Sequence, residues 1–217
     1  MTGFPASPRL VRGGWVLVDA ASAAVLRIIA LQYNPDTLTR SFQIRAAGQE
    51  SGDTLEALRL KGPPIESIKL EAELDATDPL EANDPQAVEA GLHPQLAAIE
   101  TLVYPESVHL QAVNSAAAAG SIEIAAAQAP LTLFVFGAKR IVPVRLTDLS
   151  ITEEAFDAAL NPIRAKLSLG LRVLTVDDLG FEAKGGGLFM TYLRAKEQLA
   201  RSSRGGSFSA LGINGIP

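Results

Sequence analysis

The chain has 217 residues, 47% of them hydrophobic and 20% charged, which is enough to bury one large β-rich core or two small ones. A formal net charge of -5 excludes nucleic-acid binding as the main activity, because neutralising phosphates needs a basic surface that this composition does not supply overall. Cysteine is absent, which removes disulfides, thiolate metal sites and thiol nucleophiles together.

Residues 1–13 read as a mobile arm, with Pro and Gly where a signal peptide needs an apolar stretch. No later segment approaches the roughly 18 continuous apolar residues of a membrane span, so the expectation is cytoplasmic synthesis and assembly without membrane insertion. Trp15 to Ala20 and Val25 to Leu31 read as two strands of a hairpin. Asn34-Pro35-Asp36 marks a turn. After it Leu38, Arg40, Phe42 and Ile44 alternate against Thr39, Ser41, Gln43 and Arg45, which predicts a third strand. Residues 48–64 read as a long loop.

From Ile65 to Asp75, Ile68, Leu70, Ala72 and Leu74 share one face, and Lys69, Glu71, Glu73 and Asp75 the other. Asp78-Pro79 and Asp84-Pro85 predict two helix starts, with Asp at or near the N-cap and Pro at the first helical position. Leu96, Ile99, Leu102 and Val103 predict a helix over 94–103. Residues 111–129 are Ala-rich and low in complexity, which predicts an exposed loop or flap.

Leu131 to Phe136 is a compact apolar strand. Ile141 to Leu146 alternates until the apolar phase changes parity at Leu149 and Ile151, which predicts a β-bulge near Thr147 or Asp148. Thr152 to Asp157 reads as an acidic turn, and Glu153 to Pro162 as a loop leading into the next strand. That strand is the longest predicted. Ile163, Ala165, Leu167, Leu169, Leu171 and Val173 lie on one face, against Arg164, Lys166, Ser168 and Arg172. Pairing it with the 65–75 strand would bring Glu71 or Glu73 near Arg164, Lys166 or Arg172. The glycines 185–187 read as a flexible hinge before a helix over 188–201, and the tail from Ser202 as Gly/Ser-rich and disordered alone. Arg194, Lys196, Arg201 and Arg204 are either a solvated face or a surface for an acidic protein partner.

Catalytic patterns are missing from the sequence. His93 and His109 have no Ser or Asp motif around them and no zinc-ligand spacing. Glu153, Glu154 and Asp157 lack the calcium-loop pattern, and the triple glycine lacks a phosphate-loop signature. The expectation is a protein that is not an enzyme and has no cofactor or metal.

Three segments together resemble the tube-protein domain of contractile injection systems, the phage-tail-like machines. They are Tyr33-Asn34-Pro35-x-Thr37-Leu38-x-Arg40-Ser41-Phe42, Lys69 to Asp78, and Leu149 to Asp157 with Leu160 to Ala165. The resemblance spans roughly residues 15–180 and implies a mainly β, α+β fold. The body would be a tube-protein-like β-barrel, or two packed antiparallel sheets, over 14–180, with a helical and Ala-rich insertion at about 78–129. A C-terminal helix over 181–203 and a flexible tail over 204–217 follow. It implies a structural baseplate adaptor, or tube initiator, that joins the spike hub to the inner tube. The expected partners are further copies in a hexameric ring, the hub protein, the inner-tube protein and other baseplate proteins. Relatives often continue into a peptidoglycan-binding module, which residues 204–217 do not resemble. Leu38, Arg40, Phe42, Glu153, Phe156, Asn161, Pro162 and Arg164 are the candidate interface residues. The alternatives are the inner-tube subunit itself and, in a different class, a ligand-binding β-barrel.

Overall fold

The computed structural model describes residues 10–46, 58–118 and 129–216. Seven strands, β1 (Gly14–Val18), β2 (Val25–Ala30), β3 (Leu38–Gln43), β4 (Ile65–Asp75), β5 (Leu131–Val135), β6 (Ile141–Phe156) and β7 (Pro162–Val173), form one antiparallel sheet. Their order is β2-β1-β5-β6-β7-β4-β3. Helices α1 (Thr77–Glu81), α2 (Pro85–Ala90), α3 (His93–Glu100) and α4 (Ser107–Ala118) lie between β4 and β5, and α5 (Val176–Leu179) and α6 (Lys184–Ser202) follow β7. Helix and strand contents of the described residues are close, roughly 31% and 34%, so the fold is mixed α/β rather than mainly β, and these residues form one sheet rather than two.

The period-2 pattern of β4 and β7 survives intact. Ile68, Leu70, Ala72 and Leu74 pack with Ala165, Leu167, Leu169, Leu171 and Val173 in one core that also takes Trp15, Leu31 and Phe134. The two strands are neighbours, with Glu73 opposite Lys166 and Asp75 opposite Arg164. The sheet curls strongly. β2 and β4 stand five strand steps apart, about 24 Å in a flat sheet. Yet the Gln32 side chain, just past β2, donates to the Asp75 carbonyl at 2.7 Å and accepts from the Asp75 N–H at 2.9 Å. Among the described residues no ladder joins β2 to β3, so both remain edges.

The parity change in β6 is a bulge: the register shifts between Leu146 and Asp148. Leu146, Leu149 and Ile151 therefore all meet the core-facing residues of β7, opposite Leu171, Leu169 and Leu167. Gly170 lies across from the extra residue, where a Cβ would stand 3.1 Å from both Thr147 Oγ1 and Asp148 Cβ.

Several expectations change. Thr152–Phe156 continue β6 instead of turning, because the hairpin outlasts the core and its end needs no apolar alternation; the turn is confined to Asp157–Asn161. Asp84 caps α2 through Gln86 and Ala87 N–H with Pro85 at N1, as expected, but Ala76 precedes α1 without a side-chain cap and Asp78 lies inside that helix. Residues 111–118 belong to α4, a helix with no buried residue, which is why no apolar stripe announced it; residues 119–128 lie outside the described residues, as do 48–57 of the predicted loop and 1–9 of the predicted arm.

Gly185–Gly187 are not a hinge. They form the first turn of α6, where Gly185 and Gly186 are buried and Gly186 lies against the Gly180 carbonyl, so a side chain has no room. The tail also contains structure: a 3-10 turn at Phe208–Leu211 whose Ser207 side chain accepts from Ala210 N–H. Among the described residues no helix is long and apolar enough to cross a membrane.

Candidate functional site

The eight candidate interface residues fall into two groups. Leu38, Arg40 and Phe42 lie on the face of β3 that looks inward, opposite Leu70, Ile68 and Glu66. Leu38 packs against the core. Glu153, Phe156, Asn161, Pro162 and Arg164 gather at the β6–β7 hairpin end, which meets β4 at Asp75. Glu66 and Asp75 are nine residues apart on β4, about 30 Å at about 3.3 Å per residue. Phe42 and Arg40 therefore lie toward the opposite end of that strand from the hairpin group, with Leu38 opposite its middle.

At the first end Glu66 is the organising residue. It falls in phase with Ile68, Leu70, Ala72 and Leu74, so the strand's own periodicity turns a carboxylate toward the core, and it is 3% exposed. Four contacts compensate its burial. Arg40 Nε donates to Glu66 Oε1 at 2.8 Å and Arg40 Nη2 lies 2.7 Å from the same oxygen. The Tyr192 hydroxyl donates to Oε1 at 3.1 Å, and Lys196 Nζ donates to Oε2 at 2.9 Å. Arg40 Nη2 also donates to the Tyr192 hydroxyl at 3.0 Å. Residues from β3, β4 and α6 thus share one buried carboxylate.

Burial, and then the Glu66 charge, push the Tyr192 phenol up to about 12. Burial also holds the Lys196 ammonium below its ordinary value, against the opposing pull of Glu66. Phe42, 46% exposed, lies between the Arg40 guanidinium at 4.9 Å and the Lys196 ammonium at 5.4 Å from its ring centre. Arg140, stacked at 5.7 Å over Phe136, adds a third cation near Tyr192 and Lys196.

At the second end the side chains form a charge-paired wall. Arg164 Nε donates to Asp75 at 3.1 Å, and Lys166 donates to Glu154 at 3.0 Å, which raises the Lys166 pKa. Asp75 is held below the usual carboxylate range by hydrogen bonds from Thr77, with Arg164 adding to the effect. Asp157 shapes the turn: it accepts from Ala159 N–H and Asn161 N–H, each at 2.8 Å, and from Asn161 Nδ2 at 2.9 Å. Asn161 Nδ2 also reaches the Glu89 carbonyl at 3.3 Å, tying the hairpin to α2. Pro162 is buried, and its carbonyl accepts from Leu92 N–H. Phe156 is half exposed and Glu153 exposed at the projecting end. Asn161 and Pro162 therefore hold the hairpin in place, and Glu153, Phe156 and Arg164 are its accessible members.

Sequence reasoning missed Glu66, and read Lys196 only as one of a cluster of basic residues on a solvated face or partner surface. The signal for Glu66 was available: an acidic residue at a core phase of an otherwise regular strand. Two surface clefts of about 250 Å³ and 320 Å³ have mixed linings, with Arg164, Lys166 and Glu154 beside Tyr33 and Leu74 in the first, and Arg45, Arg172, Asp177 and Asp178 beside Pro63, Pro64 and Ile65 in the second. Among the described residues no group of three or more His, Asp or Glu is placed to hold a metal ion. No family model matches the sequence, and no curated protein is significantly similar to it.

Proposed function

We propose that this chain is a structural ring subunit of a contractile injection system, an adaptor between the spike hub and the inner tube. The resemblance of the Tyr33–Phe42, Lys69–Asp78 and Leu149–Ala165 segments to tube-protein domains supplies the family. The observation that carries the reading is the pair of sheet edges left unpaired among the described residues. β2 exposes Val25, Leu26 and Ile28, and Ile44 stands exposed just beyond the β3 edge. An apolar edge is normally blunted by charge, Pro or a covering element, since it templates pairing with another chain. When one edge of each copy meets the opposite edge of the next at a constant rotation, the contact is head-to-tail and closes into a ring. The curled seven-stranded sheet would then form one segment of a continuous barrel wall.

The polar face of β4, β7 and β6 suits the surface of such a barrel. Asp75, Arg164 and Glu154 form one cross-strand row, and Glu73, Lys166 and Thr152 the next. Opposite charges alternate across the rows, so the wall is hydrated without a large field of one sign. The helices α1–α4, inserted between β4 and β5, favour a terminal adaptor over a uniformly repeating tube subunit. Leu26→Asp with Ile28→Asp tests the edge: these substitutions should abolish ring formation and leave the monomer's circular dichroism unchanged. Rings that persist in this variant would reject the β2 edge as the contact.

A further inference from the structure

The Glu66 cluster carries more positive than negative charge. One buried carboxylate is paired with both Arg40 and Lys196, and Arg140, over the Phe136 ring, is a further cation close enough to act on Tyr192 and Lys196. Its donors are not used up: among the described residues Arg40 Nη1 has no partner, and Lys196 spends one of its three N–H bonds on Glu66. Arg40 and Lys196 side chains are 26% and 34% exposed, and the Phe42 ring stands open between them. Glu66 fixes both cations from below, so their outward donors are preorganised beside an exposed aromatic. Arg and aromatic residues, Phe among them, are enriched at protein interfaces relative to the rest of the surface.

We infer that this end of the molecule is a carboxylate-accepting docking surface, on which an unlike ring protein seats an acidic face with Asp or Glu side chains against Arg40, Lys196 and Arg140 and an apolar group against Phe42. This rests on the ring reading and names the chemistry of one axial neighbour. Lateral neighbours do not supply the carboxylates, because this chain's own acidic helices lie at the far end of β4. Between Lys69 and Lys139 the sequence has ten Asp and Glu and no Lys or Arg, and α1 begins two residues after Asp75. Copies side by side in a ring place like ends next to like ends. An adaptor with one basic and one acidic end presents different chemistry to its two axial neighbours, which is what joining unlike rings requires.

Glutarate serves as the probe, with chloride at equal ionic strength as control, and the side-chain Nε–Hε signal of Arg40 in the full chain as the readout. The expected result is a saturable shift with glutarate alone, with affinity weakened about three- to fivefold in Arg140→Gln. Equal shifts with chloride, or an affinity unchanged in both Arg140→Gln and Phe42→Leu, would overturn the site. A second arm follows the full chain by sedimentation at low salt, where association should stop at the ring. Longer stacks that Asp78→Lys with Glu81→Lys suppresses would assign the carboxylates to a second copy and overturn the unlike partner. A monomer that still binds glutarate at Arg40 would sink the ring reading and leave the carboxylate site standing.

Discussion

Removing a carboxylate from water costs several kcal/mol unless its lone pairs are met, and Glu66 is tolerated because β3 and α6 meet them. The converse follows for its partners. Glu66→Gln keeps the shape but removes the charge, leaving Arg40, Lys196 and Arg140 to repel one another. It should lower the unfolding free energy by about 2 kcal/mol, measured by urea titration. Tyr192 gives the cluster a pH signature. Its folded-state pKa of about 12 lies above the ordinary value of 10.0, so in the window between them the unfolded chain loses its proton first. The stabilisation is complete below the lower value and is lost as pH rises through the window. Lys196, shifted downward, acts in the opposite sense below its ordinary value of 10.5: there the folded state loses its proton first, and stability rises with pH. Tyr192→Phe should therefore lose less stability than the parent between pH 10 and 12, measured by denaturant titration at each pH. An identical alkaline loss in both would remove Tyr192 as its source.

Among the elements, the bulge and the hairpin turn bear the most on the site. Thr147 is the extra residue that returns Leu149 and Ile151 to the core, and Gly170 leaves space for it. Gly170→Val should cost about 2 kcal/mol, seen as a lowered denaturation midpoint. Deleting Thr147 should be worse, because a one-residue slip turns Leu149 and Ile151 to the opposite face. The Asp157 turn responds to acid. Hydrogen bonds from Asn161, and then from Ala159, hold its pKa below the ordinary 3.8. Its contribution is present above that value and is lost as pH falls through the lower, folded-state pKa. Asp157→Ala should lower the melting temperature at neutral pH and converge with the parent in strong acid.

The bulge was legible in the sequence because apolar residues change parity at Leu149, and the β4–β7 faces were legible because each carries an unbroken two-residue period. The final five residues of β6 were not: Thr152–Phe156 extend past the core, and an acidic run has the same composition in a projecting strand as in a turn. Helix α4 was hidden for a related reason, since it buries nothing and Ala gives no periodic signal. Gly185 and Gly186 show the opposite case, in which close packing on Leu179 and on the Gly180 carbonyl demanded residues that usually mark flexibility.

At the scale of the molecule, the sheet is curled enough for Gln32 to bond Asp75 across five strand steps, yet β2 and β3 stay unpaired with each other among the described residues. Curvature and edges left open among the described residues are what the proposed barrel segment needs, and the acidic and basic ends of β4 would give it a direction. The open edges were not legible from composition. Which strands end at the edges follows from the order β2-β1-β5-β6-β7-β4-β3 rather than from any local motif. Native mass spectrometry of the purified full chain, combined with electron-microscope images of the same sample, tests the ring most directly. The account predicts a closed six-copy ring that Leu26→Asp with Ile28→Asp converts to folded monomers. A parent chain that stays monomeric at every concentration would contradict it.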